Sequence, residues 1–175
     1  MPSNNSFSAD NQQERLITIG WIVGYIDGEG CFSVSLNKNE TTSTGWQVFP
    51  EFVVTQGEKS INTLQLIRKF FGCGNVFINR RYDNHKENLY RYCVRSRKDL
   101  RERVVPFFEK NKLKSAKRDD FDKFVTILKL MDKNQHLAQK GLKEIAGIIE
   151  TMNRKKKPRL LESSETIRQI SSKRR

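Results

Sequence analysis

Apolar residues Leu16, Ile19, Ile22, Val23 and Ile26 recur at helical spacing behind a start signal at Asp10 and Gln13, and the run ends at Asp27. This first helix is apolar nearly all round, which predicts burial on two sides. Gly20, Gly24 and Gly28 fall four apart on one face, and each costs roughly 1 kcal/mol against alanine in a helix interior. That face is therefore expected to lie close against a second helix. From Cys31 the period becomes two, with Phe32, Val34 and Leu36 alternating with Ser33, Ser35 and Asn37, as in a half-buried strand. A polar hairpin over 38–45 leads to a second alternating run. Here Val48, Pro50, Phe52 and Val54 oppose Gln47, Phe49, Glu51 and Val53, and Pro50 points to an edge or a bulge.

A helix from about Glu58 to Phe71, striped by Ile61, Leu64, Ile67 and Phe71, stops at Gly72 and Gly74. Two more strands are expected near Asn75 to Tyr82 and Leu89 to Arg97, joined by a turn at Asp83-Asn84-His85-Lys86. Three helices follow, near 98–110, 117–134 and 137–154. The order αββαββ with trailing helices predicts an α+β fold, a four-stranded antiparallel sheet backed by helices on its apolar face. One domain is expected over 13–155. The Ser/Asn/Gln-rich residues 1–12 read as a disordered tail, and 156–175 as a basic tail or short helix.

A chain of 175 residues with 36% hydrophobic content supports one domain with a real core. The formal net charge of +13 calls for a polyanionic partner. Charge alone suits a ribosomal or RNA-coating protein equally well. The basic runs Arg154 to Lys157 and Lys173 to Arg175 also read as solvated tails or nuclear-type signals. Arginines gather on the last two strands at 80, 81, 91, 95 and 97, with Arg91 and Arg95 sharing a face. Cys31, Cys73 and Cys93 are an odd, scattered set that indicates neither disulfides nor zinc. His85 and His136 are isolated, so any hydrolytic metal chemistry must use carboxylates. No apolar run approaches the roughly 20 residues needed to span a bilayer, and residues 1–13 lack the regions of a signal peptide. The expectation is an intracellular protein.

Chemistry is expected where the first helix ends. The run Ile22 to Gly30, Ile-Val-Gly-Tyr-Ile-Asp-Gly-Glu-Gly, resembles the signature of the LAGLIDADG homing endonucleases, with glycine, acid, spacer, acid and glycine in register. Looser likeness runs through Val54-Thr55-Gln56, Pro106-Phe107-Phe108, and Leu113-Lys114 with Lys117 nearby, covering roughly residues 12–155. The resemblance implies the αββαββα homing-endonuclease fold. It also implies that Glu29 is a metal ligand beside the Gly28 carbonyl, that Gln56 positions the attacking water, and that Lys114 or Lys117 supplies a basic group near the scissile phosphate. Two carboxylates brought together should depend on a divalent cation, most simply Mg²⁺. Asp27 is expected to brace the helix end. Where the family carries a further basic residue after the glutamine, the chain reads Gly57-Glu58-Lys59-Ser60, which does not match it.

One copy of the motif per chain predicts a two-fold homodimer meeting at Gly20 and Gly24. Double-stranded DNA would then be read by Ser33, Ser35, Asn37, Gln47, Glu51, Asn79, Arg81, Arg91 and Arg95 on the exposed sheet face. The family implies an intron-encoded enzyme of a mitochondrion or chloroplast, cutting both strands of a long near-palindromic site. The same fold and charge also fit an intron RNA-splicing maturase or a DNA-binding regulator without catalysis.

Overall fold

The apolar run forms α1 (Asn5–Glu29) in the computed structural model, which describes residues 5–79 and 88–153. Helix α1 begins before the cap expected at Asp10, inside the stretch expected to be a disordered tail. No glycine or proline stands between Asn5 and Arg15 to stop it. Among the described residues only one side of α1 is covered: Ile22 and Ile26 are buried, whereas Leu16, Ile17 and Trp21 are exposed. The expected burial on two sides is thus not met by the described residues of one chain.

Four strands follow, β1 (Gly30–Lys38), β2 (Trp46–Gly57), β3 (Asn75–Asn79) and β4 (Leu89–Val94). They form one antiparallel sheet in the order β1-β2-β4-β3. Strand β2 is therefore central, which a proline would ordinarily forbid. Pro50 is tolerated because it pairs with Val34 of β1, while the pairing of β2 with β4 begins only at Phe52. At Pro50 the strand is locally an edge. Strand β4 ends at Val94, short of the Arg97 expected from its sequence run. The turn at 83–86, Arg80, Arg81 and the segment 156–175 lie outside the described residues.

Alternation puts Phe32, Val34, Leu36, Val48, Phe52 and Val54 on the inner face, all buried. Phe32 is its centre, with ring centroids 5.0 Å from Phe52, 5.5 Å from Phe108, 5.0 Å from Phe121 and 5.6 Å from Phe124. Helix α2 (Ile61–Phe71) follows a 3-10 turn, Glu58–Ser60, and buries Leu64, Ile67 and Phe71. Its C-terminus closes on Gly72 at φ 62°, the left-handed cap expected of glycine, whose N–H donates to the Arg68 carbonyl. The stretch expected as one helix over 98–110 is α3 (Arg97–Asp99), a π-helical turn Leu100–Val104, and α4 (Val105–Lys110). Pro106 has no N–H for the carbonyl four residues back, and the widened turn directly before it absorbs that mismatch. Helices α5 (Lys117–Asp132) and α6 (Gln139–Glu150) finish the layer.

Gly30 joins α1 to β1 without a break. A Cβ there would stand 2.6 Å from Ile26 Cγ2 and 2.8 Å from the Ile26 carbonyl oxygen, so only glycine lets the strand leave the helix at this angle. Gly30→Ala is expected to lower stability by about 1–3 kcal/mol, read from denaturant midpoints. An unchanged midpoint would mean that the junction relaxes freely.

Candidate active site and nucleic-acid interface

The junction at Gly30 fixes the geometry of everything beside it. Gly30 pairs with Val54, so the end of α1 meets the last residues of β2. Gln56 Nε2 there donates to Glu29 Oε2 at 3.1 Å. The Glu29 side chain is otherwise exposed, and Gly28 lies in the last turn of α1, where backbone carbonyls lack helical partners. Tyr25, one turn earlier, packs on Trp21 with ring centroids 5.4 Å apart. Burial, and then the Glu29 charge, push the Tyr25 hydroxyl above its ordinary pKa, so it stays protonated beside the carboxylate.

Asp27 is engaged differently. Its Oδ1 accepts the Ser115 hydroxyl at 2.7 Å, and its Oδ2 accepts the backbone N–H of Lys114 and of Ser115, each at 3.0 Å. Both oxygens are thereby used to tie α1 to the loop before α5. Burial alone would raise the Asp27 carboxyl, but the Ser115 and Lys114 hydrogen bonds and the nearby Lys117 charge together hold it below the usual carboxylate range. A folded-state pKa below the unfolded value stabilises the fold above pH about 4, and this is lost as pH falls through the folded value. Asp27→Asn is therefore expected to cost about 1–2 kcal/mol at pH 7, a figure held down by the site's openness to water. The difference from wild type should shrink below pH about 4, as urea unfolding at two pH values would measure. A difference that stays constant with pH would show that the charge contributes nothing.

The two candidate lysines are placed apart. Lys114 has an exposed side chain and contributes its backbone N–H to Asp27. Lys117 is half-buried, and its Nζ donates to the Gly30 carbonyl, one residue from Glu29. Sequence reasoning missed Ser115, because a partner 88 positions from Asp27 leaves no local signal. It also missed Asn153, which donates Nδ2 to the Phe32 carbonyl at 3.0 Å and returns the end of α6 to β1.

The outer face of the sheet carries Cys31, Ser33, Ser35 and Asn37 from β1, paired with Val53, Glu51, Phe49 and Gln47 of β2. Ser35, Asn37 and Gln47 are exposed, and Ser33 is half-buried. Asn79 is exposed at the end of β3, and Arg81 falls outside the described residues. Arg91 and Arg95 both reach Glu51, at 3.2 and 3.1 Å. The Cys93 thiol donates to the same carboxylate, and burial, then the Glu51 charge, push its pKa up to about 11. All three cysteines are free thiols.

The family model described as LAGLIDADG endonuclease matches residues 22–128. The chain belongs to the LAGLIDADG endonuclease family. Among solved structures it resembles the homing endonuclease I-TnaI, with 42% identity and a TM-score of 0.74 over 85% of this chain and 97% of that one. It also resembles the meganuclease I-SmaMI bound to uncleavable DNA, with 32% identity and a TM-score of 0.73 over 81% of this chain and 47% of that one. The probable intron-encoded endonuclease 3 of Neurospora crassa is 30% identical over 148 residues, 84% of this chain and 26% of that protein. The chain spans about a quarter of the length of the first curated relatives it matches. The α+β fold, a four-stranded antiparallel sheet backed by helices, is the one these LAGLIDADG structures share.

Whether this LAGLIDADG site suits a divalent cation is tested by its donors. Asp27 is saturated by four hydrogen-bond contacts, which removes it as a ligand. Glu29 keeps one oxygen clear of Gln56. Among the described residues no group of three His, Cys, Asp or Glu side chains converges. The donors fit a hard ion of the Mg²⁺ kind, which takes one or two carboxylates and completes its shell with water and substrate phosphate oxygens.

Proposed function

We propose that this chain is a single-domain homing endonuclease that acts as a homodimer on both strands of a long, near-palindromic DNA duplex. The observation that carries the reading is Glu29, bonded to Gln56 at the end of a helix whose glycine face none of the described residues covers. An added Cβ at Gly20, Gly24 or Gly28 would meet no described atom within 4 Å beyond its chain neighbours and its own helix backbone. A second copy of α1 laid against that face would bring two Glu29 carboxylates to a common axis. The lengths of the relatives support this. The chain aligns with nearly all of I-TnaI but with less than half of I-SmaMI, which leaves I-SmaMI length for a second such unit.

In this reading Glu29 and the Gly28 carbonyl hold a divalent cation, with Mg²⁺ the simplest choice. When bound, the cation supplies charge stabilisation to the phosphate under attack and to its leaving oxygen. Gln56 orients the Glu29 carboxylate and offers an uncharged hydrogen bond for positioning water. Lys117, whose Nζ is held at the Gly30 carbonyl beside Glu29, and Lys114 on the adjoining loop supply the cationic groups for the phosphate. Asp27 braces the helix end. Ser33, Ser35, Asn37, Gln47, Asn79, Arg91 and Arg95 face the duplex, and the +13 charge adds sequence-independent attraction. One relative, from Podospora anserina, is described as lying in ND4 intron 1, which favours an intron-encoded product of an organelle.

The test is cleavage of a randomised duplex library with Mg²⁺, with EDTA as control. Double-strand cuts enriched at one near-symmetric site are expected. Site-selective binding without cuts would make the chain a regulator instead.

A further inference from the structure

We propose that Glu51 is a positioning residue that sets DNA specificity by holding Arg91 and Arg95 in fixed poses and by subtracting charge from the face that meets the duplex. The proposal rests on the reading that this sheet face lies on DNA. Glu51 is the one acid in β1, β2, β3 and β4. It stands opposite Ser33 in the middle of the outer face, with a side chain only 18% exposed. An acid there repels phosphate, so its presence needs a reason other than contact with the backbone.

The reason is in its partners. Oε1 accepts from a terminal nitrogen of Arg91 at 3.2 Å, and Oε2 accepts from Arg95 Nε at 3.1 Å and from the Cys93 thiol at 3.4 Å. The Arg95 guanidinium is also flanked by two rings, its Cζ lying 5.6 Å from the Phe49 centroid and 5.7 Å from the Phe77 centroid. Phe77 is 47% exposed on the same face, an arrangement that packing alone does not demand. Bonding through Nε leaves the two terminal nitrogens of Arg95 to fork onto one acceptor pair, the geometry that reads guanine O6 and N7. A free arginine would have to lose rotamer freedom on binding, whereas this one is already ordered by a carboxylate and two rings. The same carboxylate leaves the trio with one net positive charge instead of two, which weakens attachment to unrelated sequence. Rigid poses and reduced charge both favour discrimination over raw affinity.

The experiment uses the full chain with EDTA present to prevent cleavage. Two duplexes of equal length are compared, one selected by the wild type from a randomised library and one scrambled. Glu51→Gln is expected to bind the scrambled duplex about three- to tenfold more tightly near 0.1 M salt, with a salt slope steeper by about one. Its ratio of selected to scrambled affinity should fall about tenfold or more. Glu51→Asp keeps the charge but withdraws it by one methylene, so the ratio should fall while the salt slope stays at the wild-type value. Arg95→Lys, which cannot fork, should lose preference at one base position. Misfolding would not tighten binding to scrambled DNA, so that gain separates the brace from a merely structural role. A wild type that selects a site, beside a Glu51→Gln variant with unchanged ratio and slope, overturns the brace alone. A wild type that selects no duplex overturns the sheet reading and the brace with it.

Discussion

Glu29→Gln is expected to abolish strand cleavage, by on the order of 10⁴-fold or more, while leaving affinity for the selected duplex within a few-fold of wild type. The glutamine has the same shape, so the contact with Gln56 at 3.1 Å can persist through the remaining carbonyl oxygen. What disappears is the one negative charge at the end of α1 that is not already saturated. Asp27 cannot substitute, since its oxygens are engaged by Lys114 and Ser115. Single-turnover cleavage beside a binding isotherm separates the two effects. Retained cleavage would sink the assignment of Glu29, and loss of binding along with cleavage would make it a structural residue.

In the proposed homodimer, Gly24→Leu is expected to leave the fold of the single chain intact and to separate the two copies. Within one chain the new side chain projects into open space, because a Cβ at position 24 meets nothing within 4 Å. Leucine also favours the helix by about 0.5–0.8 kcal/mol over glycine, so helical content should be kept. Across a two-fold axis the same side chain meets its own mate, and overpacking at both symmetric positions costs about 2–6 kcal/mol in all. That predicts a dimer roughly 30-fold to 10⁴-fold weaker, with double-strand cuts lost in proportion. Sedimentation would show one chain's mass in place of two. A variant that remains dimeric and cuts would mean that α1 pairs through another face, for which exposed Ile17 and Trp21 are the nearest alternative.

The elements were legible because their periods are clean. Phe32, Val34 and Leu36 bury on one side of β1 and leave Ser33, Ser35 and Asn37 on the other, as strict alternation requires. Gly72 ends α2 in the left-handed conformation that few other residues adopt. The start of α1 was not legible, because a polar helical extension carries no apolar stripe and a plausible cap at Asp10 is only one option for the chain. Pro50 is a signal of an edge or a bulge, yet it sits in an interior strand of the sheet. Only the offset between the partners of β2 reconciles the two. At the site, the motifs point to Glu29 and Gln56, which share a hydrogen bond. Ser115, Phe49 and Phe77 were not, because their roles arise from contacts made far along the chain.

By itself the sequence determined the order of helices and strands, the outward-facing side chains of the sheet, the basic charge, and the acid at the end of a glycine-faced helix. Each is fixed by residue type and spacing over a few neighbours. The tertiary structure decided which groups share a hydrogen bond or a face: Asp27 spent on the loop before α5, Lys117 turned to Gly30, Glu51 gripping two arginines, and the glycine face of α1 left open. Those outcomes depend on strand register and helix packing. Both place residues dozens of positions apart within hydrogen-bonding distance, and local periodicity carries no record of such pairings.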